Sequence, residues 1–421
     1  MRLLTGFIRI ITLCARFALV FGAAKYLSVQ SFAAYGVFAV SVSYALYLVG
    51  LDFYTFTNRE IARKQSLSIA AMLTSHGALC LFLYLAFLPA FVWGATKYGE
   101  ISQSTVMCFS VILILEQLNQ EIFRLLVVRS KAVWASLLFF VRNGAWVGPL
   151  ICIWIYDPES RTLDSLLLGW ICGGVIAGLM GVYTMRLAFK GQNIGRSEVN
   201  IAWIRKGVGV AIPLLIATLC YRAMYTLDRY FIDAYGTALD LAAYTLFAST
   251  ATAALGMLDA LVLSHAFPRL LHARNQMQKS TFMDEVKSFV RDAVGITIAL
   301  GCGAYYCTLI VVEWVGRGEY LAHKQLLLLV IIGAVLNCLA TVPQILLYVH
   351  NADEWITRSN LMGLVAFLAV ICVGRPDAAY AAALGVVIAN LIIFCAKTFF
   401  CIRQLARSDL WQAPRVTKVA G

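Results

Sequence analysis

Apolar runs of about 20 residues, the length that crosses a hydrocarbon core as a helix, alternate with short polar connections along the whole chain. The pattern predicts helices at 4–24, 33–56, 69–93, 102–126, 132–155, 165–188, 207–232, 240–267, 289–314, 324–349, 355–374 and 378–402. The runs at 102–126 and 207–232 are the least apolar, because charges interrupt them. The expected fold is all-α and integral to the membrane, with twelve transmembrane helices.

Composition agrees with the pattern. Of 421 residues, 61% are hydrophobic and 13% charged, against roughly 25% charged in an ordinary soluble domain. A soluble globule is excluded. Orientation follows from the connections: 22 Lys and Arg residues fall on one side, among them Arg59, Arg63, Arg124, Arg129, Arg205 and Lys206. The other side has six, Lys25, Lys97, Arg161, Arg317, Lys324 and Arg375. By the positive-inside rule both termini are cytoplasmic, and the net charge of +12 is a topological signal, so no nucleic-acid partner is expected. Residues 22–24 (GAA) look like a leader cleavage site, but Arg9 and Arg16 break the apolar core a leader needs. The segment is read as the first helix. Twelve cysteines lie in apolar segments without a C-x-x-C spacing or a nearby paired His, which reads as packing, with no metal site.

An internal repeat supplies the architecture. Shifting the chain by 209 residues lays YLSVQSFAAYGVFA (26–39) on YGTALDLAAYTLFA (235–248), and six of the fourteen positions agree. The chain is expected to divide into an N-terminal six-helix bundle (1–190), a cytoplasmic linker (191–206), a C-terminal six-helix bundle (207–403) and a cytoplasmic tail (404–421). Six helices per half is an even number, so the bundles should be related by a pseudo-two-fold axis along the membrane normal.

Six basic residues lie inside or at the edge of the apolar runs: Arg9, Arg16, Arg142, Arg222, Arg229 and Lys397. Arg9 and Arg16 are seven residues apart, as are Arg222 and Arg229, so each pair returns to nearly one helical face. Arg222, Tyr225 and Arg229 form one stripe, with Tyr221, Tyr225 and Asp228 beside it. An Arg near the bilayer centre costs about 2.5–3.5 kcal/mol on insertion scales. Arg222 lies 16 residues beyond Lys206, roughly 24 Å along the helix, well inside the membrane. One reading is a water-filled positive cavity between the halves, in which Arg222, Arg142, Arg229, Arg16, Arg9, Tyr221 and Tyr225 bind an anionic substrate. The other is structural: Arg222 and Arg142 in local ion pairs or on carbonyls, Arg229 and Arg16 reaching the outer surface.

Asp259, Glu116, Asp52 and Asp228 are candidate ion-coupling groups, since a carboxylate in a poorly solvated cavity can take up a proton near neutral pH. Alternatively each neutralises a nearby Arg, as Arg124 would for Glu121 three residues before it. His76 and His265 have no partner in sequence and read as packing or solvated residues. The connection 269–291 mixes charges of both signs at helical spacing and reads as a surface helix.

Three stretches carry a resemblance: GLDFYTFTNREIARK (50–64), LEQLNQEIFRLLVVRSKAVWASLLFFVRNGAW (115–146), and IPLLIATLCYRAMYTLDRYFI with AAYTLFAS (212–232, 242–249). They resemble the polysaccharide biosynthesis transporters of the O-antigen flippase type, within the multidrug, oligosaccharidyl-lipid and polysaccharide (MOP) exporter superfamily. The resemblance covers helices one to eight; nine to twelve match in hydropathy and length. It implies a MATE-like two-bundle transporter of the bacterial inner membrane, not an enzyme and without a cofactor. Such a protein moves an undecaprenyl-diphosphate-linked glycan to the outer leaflet by ion-coupled alternating access, with a polymerase or glycosyltransferase as possible partner. No G-x-x-x-x-G-K-[ST] loop is present. Three alternatives fit less well. A major-facilitator transporter would carry a glycine and paired-basic signature that TNREIARKQSLS (57–68) lacks. A drug antiporter's cationic substrates would be repelled by arginines. A membrane glycosyltransferase or polymerase would need a large outer loop, and the outer connections are short.

Overall fold

The computed structural model describes residues 2–63, 68–98, 102–188, 198–275, 279–350, 352–374 and 377–406. Among them every regular element is a helix: α1 Arg2–Tyr26, α2 Val29–Gly50, α3 Tyr54–Arg63, α4 Ile69–Tyr98, α5 Gln103–Val128, α6 Ala132–Phe140, α7 Val147–Tyr156, α8 Leu163–Ala188, α9 Ile201–Tyr235, α10 Ala238–Leu258, α11 Ser264–Asn275, α12 Lys279–Val315, α13 Lys324–Val349, α14 Asp353–Val373 and α15 Ala378–Leu405, with short 3₁₀ and π segments between.

Eleven helical stretches among the described residues are long and apolar enough to cross a membrane. The twelfth expected span, α5, has the length but not the hydropathy, because Glu116, Gln117, Asn119, Gln120, Glu121 and Arg124 crowd its second half. Glu116, Gln117 and Asn119 are buried, so this polar face turns into the protein and not toward lipid.

Three expected spans are broken. The run 33–56 divides into α2 and α3 at Leu51 and Asp52, which adopt left-handed φ values of 49° and 52°. Neither is glycine, and bulky residues there are strained. The run 132–155 carries a π segment, Val141–Ala145, and 240–267 carries another, Asp259–Leu263. Helix α11 continues past that segment through Pro268, as far as Asn275.

The chain folds as two compact units, Met1–Thr226 and Leu227–Gly421, which divide inside α9. Residues 201–226 of that helix pack within the first unit: Trp203 packs edge-on to Phe53 and tilted against Phe56, with ring centroids 5.5 and 5.1 Å away. Of the linker expected at 191–206, residues 191–197 lie outside the described ones, as does 407–421 of the expected tail.

Each unit uses the same device to bring two helices close. In the first, Asn119 Nδ2 on α5 donates to the carbonyl of Gly174 on α8, 2.9 Å away. In the second, Asn390 Nδ2 on α15 donates to the carbonyl of Gly333 on α13 at 3.2 Å. Small residues permit the approach, as in other membrane helix pairs. Gly173 is the tightest position: an added Cβ would lie 2.1 Å from Cδ1 of Trp146. That indole is held in turn by its N–H bond to the carbonyl of Arg142, 2.9 Å. Gly173→Ala should therefore destabilise the first unit by about 1–3 kcal/mol through overpacking, read as a lowered Tm in detergent. An unchanged Tm would mean that Trp146 swings away freely.

Candidate functional site

Two charged residues expected from sequence meet in the first unit. Arg142 stands in the π segment that interrupts its span, and π segments recur at functional sites. Its Nη2 donates to Oε2 of Glu116 on α5. The other carboxylate oxygen, Oε1, accepts the indole N–H of Trp170 on α8 at 2.9 Å. Only 11% and 9% of the two charged side chains is exposed. Both oxygens of Glu116 are thus occupied, and the pair is closed within the protein.

Arg222 is held differently. Its Nη1 donates to the hydroxyl of Ser43 at 3.1 Å, and its guanidinium carbon lies 3.8 Å from the ring centroid of Tyr47, within cation–π range. Both partners belong to α2, one helical turn apart. No carboxylate among the described residues lies within ion-pair distance of Arg222. The rings of Tyr221 and Tyr225 are 5.2 Å apart beside it. One turn earlier on α9, Thr218 Oγ1 donates to Oδ2 of Asp52 at 3.0 Å. Asp52 is buried at the α2–α3 break, and its Oδ1 has no hydrogen-bond partner among the described residues. Ser43, Tyr47, Asp52, Thr218 and Arg222 therefore form a polar line where α9 meets α2.

A neighbouring group gathers around Glu121. Its Oε1 accepts from Gln117 Nε2 at 3.0 Å and from Arg124 Nη1 at 2.8 Å, the local neutralisation that sequence allowed for. The Arg124 guanidinium lies 3.2 Å from the ring centroid of Tyr54 on α3. His76, on α4, is buried with Nδ1 3.2 Å from Thr57 Oγ1 and Nε2 3.9 Å from Glu121 Oε2. This histidine has partners that its sequence surroundings do not reveal, because they come from α3 and α5.

In the second unit Asp228 is fully buried and Arg229 is 7% exposed, so Arg229 does not reach outward to solvent. Its Nη1 lies 3.2 Å from both carboxylate oxygens of Asp228, and Tyr244 donates its hydroxyl to Oδ2 at 2.7 Å. Neighbours in sequence do not normally face each other on a helix; here the long Arg side chain folds back over a carboxylate that also accepts the Arg229 backbone N–H at 2.7 Å. Asp259 is exposed at the start of the second π segment, and Arg9 and Arg16 are exposed on α1.

Helix order and packing define a class: the chain has the fold of MOP superfamily transporters. An inward-facing multidrug resistance MATE family transporter matches it with a TM-score of 0.72 at 15% identity, over 95% of this chain and 98% of the other. The lipid II flippase MurJ, in an inward closed conformation, matches with a TM-score of 0.73 at 12% identity, over 95% and 89%. A MOP superfamily transporter from Pyrococcus furiosus, described as having a binding pocket of reversed polarity, gives 0.61 at 14% identity, over 97% and 94%. No protein-family model matches the sequence, and no curated protein does. These likenesses extend over the last helices, where the sequence resembled the superfamily only in hydropathy and length.

Proposed function

We propose that the chain is a flippase for a polyprenyl-diphosphate-linked glycan, the repeat unit of an O-antigen or related surface polysaccharide. The observation that carries this reading is Arg222: inside a membrane helix, seated on Tyr47 and Ser43, with no carboxylate to answer its charge among the described residues. Arg142, Arg229 and Arg124 each hold a carboxylate. A diphosphate supplies the missing anion and matches the forked guanidinium donors. Tyr221 and Tyr225 offer flat faces for sugar rings, and the polyprenyl tail stays in lipid. A cationic drug would be repelled at the same place. The fold shared with a lipid II flippase supports a lipid-linked substrate.

In this reading Arg222 holds the diphosphate, while Arg9 and Arg16 extend the positive path along α1 and Arg142 and Arg229 join it when their pairs open. Asp52 leads the carboxylate coupling candidates because one of its oxygens has no hydrogen-bond partner among the described residues, whereas Glu116 and Asp228 are engaged by arginines; Asp259 is the exposed alternative. The Lys and Arg bias supports cytoplasmic termini, and the proposed substrate supports a bacterial inner membrane.

Deleting the gene in its host should make polyprenyl-linked repeat units accumulate on the cytoplasmic face of the inner membrane and strip the surface of the polymer. Unchanged precursors and unchanged surface polysaccharide would overturn the proposal.

A further inference from the structure

The second unit buries the one lysine among the six basic residues of the apolar runs. Lys397 on α15 is 1% exposed, one of the largest fully buried side chains in the molecule. It continues a buried stripe on its helix through Asn390, Ile393 and Cys401. A lysine near a helix end normally stretches its stem to water. Lys397 stands eight residues before the end of α15, roughly 12 Å along the axis, yet its tip stays inside. Its Nζ donates to Oε1 of Gln344 on α13 at 2.7 Å, and this amide is its one hydrogen-bond partner among the described residues.

Among the described residues no carboxylate lies within ion-pair distance of it. On α13, Lys324 lies at the opposite end and Tyr348 is exposed, while the capping His350 turns its Nδ1 to the carbonyl of Leu346 at 2.8 Å. On α14, Asp353 lies in the first turn and Glu354 pairs with Arg358 at the exposed surface. On α10, Asp240 holds His323 at 3.0 Å and Tyr244 holds Asp228. On α15 itself, Arg403 lies in the last, exposed turn. An ammonium has three donors and needs a counter-charge when taken out of water; Gln344 supplies one neutral acceptor. A neutral amine fits the same seat with no charge left uncompensated.

We propose that Lys397 is a proton-carrying site of the second unit: the amine is neutral while the α13–α15 seam is closed, and it binds a proton when that seam opens to water. This rests on the reading of the chain as an ion-coupled transporter, and it adds a proton site to the carboxylates already named. The step is a simple protonation, amine plus proton giving ammonium, with no other bond made or broken. Because one conformation holds the amine dry and the other wets it, protonation state and conformation become linked.

The first test needs no substrate. The Tm of the purified protein in detergent is measured from about pH 9 to about pH 6 for the wild type and for Lys397→Met. The unfolded chain carries this lysine protonated, so if the folded seat holds it neutral, the unfolded state binds the extra proton and wild-type stability falls on acidification. The Met variant lacks this dependence, so the gap between the two curves should change with pH, the wild type losing ground in acid. A gap constant with pH would overturn the proposal and leave Lys397 a structural residue. Should the Met variant fail to fold, Lys397→Gln, which can still bond Gln344, takes its place under the same criterion. The second test uses proteoliposomes holding an undecaprenyl-diphosphate glycan under an imposed proton gradient. The gradient should stimulate wild-type flipping and stimulate the variant less; equal stimulation of the two would overturn the role in coupling. Absence of any flipping by the wild type would instead count against the proposed function, and the melting curves would still judge Lys397 separately.

Discussion

Arg222→Ala is expected to abolish movement of the lipid-linked substrate while the protein still reaches the membrane at the wild-type level. The residue's protein partners are a hydroxyl and an aromatic face, so its removal strands no buried carboxylate. The loss to the fold is limited to a cation–π contact of about 0.5–2 kcal/mol and one hydrogen bond of roughly 1 kcal/mol. The diphosphate, in contrast, loses both its counter-charge and its bidentate donors. Arg222→Lys should recover part of the transport, since an ammonium keeps the charge and lacks the planar fork. Flipping assays on equal amounts of membrane-inserted protein provide the measurement. A structural arginine paired with Asp228 would behave otherwise: Arg222→Ala would insert poorly and Arg222→Ala with Asp228→Ala would rescue it. The oxygens of Asp228 are taken by Arg229 and Tyr244, so no rescue is expected, and recovery of both expression and transport in that double variant would end the binding role assigned to Arg222.

Arg142→Ala should fail at the other level. Its removal leaves Glu116 buried with the Trp170 indole as the remaining partner, an uncompensated charge that costs about 3–5 kcal/mol. Expression and Tm should fall sharply. Removing both charges, in Arg142→Met with Glu116→Gln, should restore most of the stability, because an apolar and amide pair of similar volume leaves no charge in the apolar surroundings. Transport by this stable double variant then decides whether Arg142 also meets substrate: normal flipping would confine it to holding α6 and α7 against α5, and loss of flipping would place it on the anion's path. Failure of the double variant to regain stability would refute the account of the pair as a self-contained unit.

These two arginines looked alike in the sequence. Each was a single positive charge deep in an apolar run, and each admitted either a substrate or a structural reading. Glu116 lies 26 positions before Arg142, and Ser43 lies 179 before Arg222, so helical periodicity within one span could not reveal either partner. The partners of His76 and Lys397 were hidden for the same reason, being supplied by other helices. A signal for Tyr47 was present in the polar and aromatic end of α2, but nothing local tied it to α9.

The sequence alone determined the spans, whose limits agree with the helices to within a few residues over most of the chain, 324–349 coinciding with α13. It did so because a bilayer imposes a local rule, about 20 apolar residues per crossing, that each segment meets by itself. It also marked α5 as the least apolar of the early spans, together with the charges that lie within the membrane. The tertiary structure decided where those spans break, at the left-handed Leu51 and Asp52 and at the two π segments, and which charges are neutralised. Both depend on side chains from helices distant in sequence: a buried charge is tolerated or costly according to the partner packed across from it, and hydropathy along one helix carries no record of that partner.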